Sequence, residues 1–236
     1  MKRFAVFDID GTLIRWQLYH AIADHLVKLG YIKPSDFASI KEARMEWKRR
    51  SPDASFKTYE IELIGAYERA LVKLTPRELD RAVDSVFNEY KDQVYVYTRQ
   101  LIADLKAKGY TLFAISGSQT EIVEKIADYY GFDAFLGTVY EKPGGRFTGN
   151  KVFHAQFKDK ALQGLIDRYG LDLDGSVAVG DSKSDIPMLK MVEQPIAFNP
   201  ERALFDESVA NKWKIVIERK DMVYELEARD GTYVLA

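Results

Sequence analysis

Phe4-Ala5-Val6-Phe7 is an apolar run with no polar alternation, and it ends abruptly in Asp8-Ile9-Asp10-Gly11-Thr12. A strand without a polar face is covered on both sides, which is the condition of a strand inside a parallel sheet. Ligands of such sheets sit beyond the carboxyl ends of the strands, so Asp8 and Asp10 are expected at a ligand edge. Two later apolar runs end the same way. Tyr110 to Ile115 leads into Ser116-Gly117-Ser118, and Val177-Ala178-Val179 leads into Gly180-Asp181-Ser182-Lys183-Ser184-Asp185. In a parallel sheet all three endings face one crevice.

Helical and strand rhythms divide the chain. Leu18, Ile22, Leu26 and Leu29 recur at helical spacing, which predicts a helix over 17–29 stopped by Gly30. Ser35 is expected to cap a second helix over 36–50, ended by Ser51-Pro52, and a third spans 56–73. Thr75-Pro76-Arg77-Glu78 reads as a capping box opening a fourth helix that runs to about Tyr90. From Thr98 onward strands and helices alternate, the pattern of a parallel sheet. Lys142-Pro143-Gly144-Gly145 marks a hairpin or flap, a helix is expected over 158–169, and the final fifteen or so residues read only as a weak helix or tail. The expected fold is therefore α/β: a doubly wound parallel sheet, Rossmann-like, with an inserted four-helix bundle. The expected division is a catalytic core of 1–15 and 94–236 and a helical cap domain of 16–93.

Bulk properties exclude more than they specify. The 34 basic and 36 acidic residues leave a net charge of -2, so no overall field marks a binder of nucleic acid or anionic membrane. With no cysteine there is no disulfide, thiolate metal site or thiol nucleophile, a composition compatible with a reducing cytoplasm. Asp8 and Asp10 interrupt the apolar start well short of a signal peptide, and no stretch is long and apolar enough to span a bilayer. A soluble cytoplasmic protein is expected.

The chemistry must lie in the crevice. Asp8, Asp10, Asp181 and Asp185 brought together repel one another unless a cation compensates, and a hard oxygen array suits magnesium, Mg²⁺. A Ser-Gly-Ser turn at a helix start offers a hydroxyl and backbone amides to a phosphate oxygen. Each residue also has a plainer role open to it: Asp10-Gly11 as a turn, Ser116 as a helix cap, Lys158 as a solvated lysine, Asp185 as the cap of its own helix.

These ordered motifs resemble the magnesium-dependent phosphatases of the haloacid dehalogenase superfamily, in the branch similar to phosphoserine phosphatase. Asp8, Asp10 and Thr12 match the first motif, Ser116 the second, and Asp181 with Asp185 the fourth. Lys151, Lys158 and Lys160 compete for the third, with Lys158 fitting best at its helix start. The resemblance implies that Asp8 attacks phosphorus to form an aspartyl-phosphate and that Asp10 serves as proton donor and then base. It further implies that Asp8, the Asp10 main-chain carbonyl and Asp181 hold Mg²⁺. Asp185 would hold Lys158, while Lys158, Ser116 and the Gly117 amide grip the transferring oxygens. The helical insertion corresponds to the cap of that branch. The chain departs from the branch at Gln17, where a glutamate receives the phosphoserine ammonium: a neutral amide pairs no cation. A phosphate monoester of a small metabolite is the broader expectation, with no nucleic acid or membrane partner and an oligomeric state left open.

Rival readings are a phosphotransferase or mutase using the same intermediate, a dehalogenase, and a non-catalytic acidic-pocket phosphoacceptor or binding domain. Other polar residues carry less. His20 and His25 stand five apart and share no helix face as metal ligands would. The basic run Lys41 to Arg50 reads as a solvated face before an attraction for an anionic substrate. Trp16, Tyr19, Trp47, Phe56 and Tyr59 suit a substrate pocket or helix packing alike, and His154 has no assigned role.

Overall fold

A computed structural model describes residues 3–51, 56–229 and 232–236. Pro52, expected to help end the second helix, lies outside the described residues, as does the side chain of Phe56.

β1 (Phe4–Phe7) is fully buried on both faces, as its unbroken apolar run requires. It lies between β2 (Thr111–Gln119) and β5 (Val177–Gly180), parallel to both, with Phe7 opposite Ala114 on one side and Val179 on the other. β3 (Ala134–Tyr140) continues the parallel sheet beyond β2, while β6 (Gln194–Phe198) and β7 (Lys214–Arg219) continue it beyond β5. The chain winds outward from β1 to β3 and then returns to the other side at β5. The direction of winding reverses between β1 and β5, which is where such sheets hold ligands.

Helices α5 (Val96–Ala107), α6 (Thr120–Tyr130) and α7 (Lys158–Tyr169) connect these strands. Phe4, Val6, Phe113, Ile115, Leu162, Ala178 and Leu189 meet in the core. α7 has the bounds the sequence predicts. The short α8 (Ile186–Leu189) and α9 (Arg202–Asn211) complete the helices of this part.

The C-terminal reading needs correcting. Residues expected as a helix or tail form β8 (Met222–Arg229) and β9 (Thr232–Leu235), antiparallel additions to β7. Ile217 pairs with Tyr224 and Ile215 with Leu226, so β8 is held by apolar cross-strand neighbours that no local pattern announces.

The inserted helices are α1 (Leu18–Lys28), α2 (Ala38–Lys48), α3 (Phe56–Leu71) and α4 (Pro76–Tyr90). The capping box forms, since the Thr75 amide and hydroxyl donate to Glu78 Oε2 at 2.7 and 2.8 Å. The expected Ser35 cap does not. Pro34 opens a short 3-10 turn through Phe37, Ser35 donates to Asp36 at 3.3 Å, and α2 starts after Phe37.

The fold divides into two compact units, Met1–Gln17 with Glu89–Thr138 and Phe153–Ala236, and Leu18–Asn88 with Val139–Val152. The hairpin segment belongs with the helices because its polar groups are satisfied there. The Tyr140 hydroxyl pairs with Tyr19 at 3.0 Å and donates to Glu68 at 2.9 Å, and Lys151 of β4 (Lys151–Phe153) forms an ion pair with Glu68. No helix among the described residues is long and apolar enough to cross a membrane.

One buried carboxylate ties helix to sheet. α5 has no side-chain cap of its own, and Glu218 on β7 accepts its first amides, Val96 N at 3.1 Å and Tyr97 N at 2.9 Å. Glu218→Ala is expected to lower stability by about 2 kcal/mol, since both amides lose a charged acceptor. In thermal unfolding this reads as a drop of about 4–8 °C, with Glu218→Gln intermediate; an unchanged midpoint would refute the capping role.

Candidate active site

The three polar strand ends converge. Asp8 continues β1, and its amide donates to Val179 O at 3.0 Å. The chain then leaves the sheet direction: Leu13 and Ile14 amides both donate to Ile9 O at 2.9 Å, and Gly11 adopts φ +82°. A Cβ on Gly11 would stand 2.2 Å from Asp181 Oδ2, so glycine is required both by the backbone and by the acid pressed against it.

Lys158, the first residue of α7 and 1% exposed, is the centre of the charge network. Its ammonium donates to Asp8 Oδ1 at 2.7 Å and to Asp185 Oδ1 at 2.6 Å. The competing lysines are elsewhere: Lys160 is exposed and lies 4.8 Å from the Phe157 ring centroid, and Lys151 pairs with Glu68.

Asp185 is saturated. Its Oδ2 accepts from Asp181 N at 3.1 Å, Ser182 N at 2.9 Å and Ser182 Oγ at 3.1 Å, closing a capping box over the loop after β5. Gly180 makes room for it, since a Cβ there would come within 2.4 Å of Asp185 Cβ. The Asp181 carboxylate contrasts with it and accepts no hydrogen bond among the described residues, although its backbone carbonyl is held by Glu201 N at 2.8 Å.

Asp8, Asp181 and Asp185 each offer a carboxylate oxygen within a group 4.8 Å across. The side chain of Asp10 is not in this group, for two serines turn it aside. Ser116 Oγ donates to Asp10 Oδ2 at 2.7 Å and Ser118 Oγ to Oδ1 at 3.0 Å, while the Ser118 amide donates to Ser116 Oγ at 2.9 Å. Neither serine caps α6, whose start has no side-chain cap. Gly117 sits between them, and its carbonyl accepts from Thr138 at 2.6 Å. Gln17 is half-buried at the end of the first segment of the unit that holds the acids, and makes no hydrogen bond to them among the described residues. His20, buried and pushed down to about 3 by burial and by Arg44 and Lys48, is neutral and packs edge-on to Tyr59 in the helical unit. Ser118, Gly11 and Gly180 stand within the motifs read from the sequence but take roles there that the sequence does not assign them.

The electrostatics call for a cation. Burial, then Asp185 and Asp10, raise the Asp8 carboxyl to about 7 against the pull of Lys158. Burial and then Asp8 and Asp185 hold Asp181 well above the usual carboxylate range. Burial opposes the charge on Lys158, yet Asp185 and Asp8 carry its proton affinity above that of a free lysine. Among the described residues one ammonium thus stands in a cluster of three carboxylates, with the charge of Asp10 also felt by Asp8 and Asp181. A divalent ion of hard character fits this donor set, with the unpaired Asp181 carboxylate beside Asp8 as its natural ligands.

Residues 5–190 match the family described as haloacid dehalogenase-like hydrolase. Over 226 residues the chain is 27% identical to a histidinol-phosphatase of Neisseria meningitidis serogroup C, covering 92% of this chain and 99% of that protein. It is 27% identical over 226 residues to a phosphoserine phosphatase of Methanocaldococcus jannaschii, covering 94% of each. A solved phospho-aspartyl intermediate analogue of phosphoserine phosphatase shares the fold with a TM-score of 0.64 at 22% identity, over 93% of this chain and 95% of that one.

The raised carboxyls fix a sign. Their protonated forms are favoured by the fold, so between about 4 and about 7 the folded state binds more protons than the unfolded one and the cluster's contribution to stability falls as pH rises. Asp181→Asn removes one of these charges. The metal-free variant is expected to melt about 2–8 °C above the parent near neutral pH, from about 1–2 kcal/mol. The gap should close as pH is lowered toward 4. A variant less stable than the parent near neutral pH would refute the unpaired-charge account.

Proposed function

The chain belongs to the haloacid dehalogenase-like hydrolase family, and from that premise we propose that it is a magnesium-dependent phosphatase hydrolysing a small-molecule phosphate monoester through an aspartyl-phosphate on Asp8. The observation that carries the proposal is the buried Asp8–Lys158–Asp185 bridge set beside the unpaired carboxylate of Asp181.

In this reading Lys158 fixes Asp8 by one oxygen, and the other is the nucleophile. Its attack on phosphorus forms an O–P bond as the ester O–P bond breaks, splitting hydrolysis into two displacements. Asp10 gives its proton to the departing alkoxide and then takes one from the water that cleaves the aspartyl-phosphate. Ser116, the Gly117 amide and Lys158 hold the phosphoryl oxygens, so Ser116 turns from Asp10 toward the substrate. Asp8, the Asp10 main-chain carbonyl and Asp181 would hold Mg²⁺, which supplies charge neutralisation for phosphoryl transfer. Asp185 positions Lys158 and the loop that presents Asp181. The helical domain, 16–93, is proposed as the cap and 1–15 with 94–236 as the catalytic core.

Histidinol-phosphatase and phosphoserine phosphatase relatives both act on phosphate esters of primary amino alcohols, and this chemistry is the first to try here. Gln17, being neutral, supplies no ion pair for a substrate ammonium, so selectivity for phosphoserine is not expected from it.

Purified protein with Mg²⁺ is expected to release inorganic phosphate from members of a panel of phosphorylated metabolites and to stop when the metal is chelated. Asp8→Asn should abolish turnover, and Asp10→Asn should lower kcat by about a hundredfold to ten-thousandfold. Transfer to an added alcohol in preference to water would favour the phosphotransferase reading. Mg²⁺ binding without turnover of any ester would favour the phosphoacceptor reading.

A further inference from the structure

We propose that Ser118 is a positioning residue for Asp10: it holds Oδ1 throughout the cycle and thereby assigns proton transfer to Oδ2. The proposal rests on the phosphatase reading and deepens it.

In the structure both Asp10 oxygens are engaged by hydroxyls of one short segment, Oδ2 by Ser116 at 2.7 Å and Oδ1 by Ser118 at 3.0 Å. The two serines are not equivalent. Ser116 Oγ also accepts the Ser118 amide at 2.9 Å, so the hydroxyl of Ser116 pivots about a fixed oxygen and can turn its proton to a phosphoryl oxygen without losing that bond. Ser118 is 2% exposed at the inner end of β2. Its hydroxyl does not serve α6, which begins without a side-chain cap.

The consequence is a division of labour. When Ser116 turns to the substrate it releases Oδ2, while Ser118 keeps Oδ1 and with it the plane of the carboxyl group. Oδ2, freed of the Ser116 hydroxyl, takes up a proton from solvent, and that proton passes to the leaving alkoxide as the ester O–P bond breaks and the Asp8–phosphorus bond forms. In the second displacement a water proton returns to Oδ2 as the new O–P bond forms and the bond to Asp8 breaks. Without Ser118 the carboxyl group rotates and presents its proton less often along the leaving-group direction. A general acid must lie within hydrogen-bond reach of the atom it protonates, so misorientation costs rate in proportion to the help the leaving group needs.

That last point separates positioning from mere packing. A nitrophenolate departs with little proton assistance, whereas a phenolate, the base of an acid with pKa about 10, gains from it. The test compares kcat/KM for 4-nitrophenyl phosphate and phenyl phosphate with the Mg²⁺-loaded full chain. Ser118→Ala is expected to lower kcat/KM for phenyl phosphate by about tenfold or more and for 4-nitrophenyl phosphate by less than about threefold. Ser118→Thr, which keeps the hydroxyl, should restore the parental ratio. Ser118→Gly gives the same comparison if the alanine variant does not fold. Equal losses on both esters, or a ratio unchanged in Ser118→Ala or Ser118→Gly, would overturn the proposal while leaving the phosphatase reading in place. A parent protein that hydrolyses neither ester, nor any member of the panel of phosphorylated metabolites, with Mg²⁺ would overturn the phosphatase reading itself, and this inference with it.

Discussion

The repulsion among buried carboxylates is the constraint around which the catalytic unit is built. Among the described residues Lys158 is the one ammonium in contact with them, bridging Asp8 and Asp185. A lysine with almost no exposure survives as a cation only because two carboxylates outweigh its loss of water. The reverse holds at Asp8, where burial and two further acids outweigh the single lysine. The ion pair therefore wins at one partner and loses at the other, and the imbalance left over is negative charge that a divalent ion could neutralise.

Much of this site was legible because its residues end strands. The unbroken apolar runs around Val6, Ile115 and Ala178 identify covered strands, and the polar residues that stop them must share an edge once the strands are parallel. Lys158 was harder, since a lysine at a helix start is ordinarily solvated. What singles it out is burial, which depends on the packing of α7 and is invisible in composition. Ser118 was overlooked for a related reason: one small hydroxyl beside Ser116 looks like a turn residue until Asp10 is seen to lie between the two.

The misreadings in the fold are non-local in the same sense. β8 alternates weakly and carries Glu225, Glu227 and Arg229; its strand character comes from β7 already being in place. The α5 cap is supplied by Glu218 more than a hundred residues away, beyond any local capping signature. The grouping of the 139–152 hairpin with the helices likewise rests on Tyr140, Glu68 and Lys151, three residues whose polar atoms meet only after folding.

Asp8 and Asp10 show how separate roles arise two positions apart. Along a continuing strand the two side chains would share a face and both would enter the acidic group. The strand stops at Phe7, and the turn closed on Ile9 O, with Gly11 in the left-handed region, carries Asp10 toward β2. There the serines receive it, while Asp8 stays with Lys158 and Asp181. Gly11 also permits the approach of Asp181, so one residue without a side chain both diverts Asp10 from the cluster and lets the cluster close. The separation matters chemically: a carboxylate bound to a cation is a poor base, and in the proposed mechanism an Asp10 held on hydroxyls keeps its capacity to exchange protons.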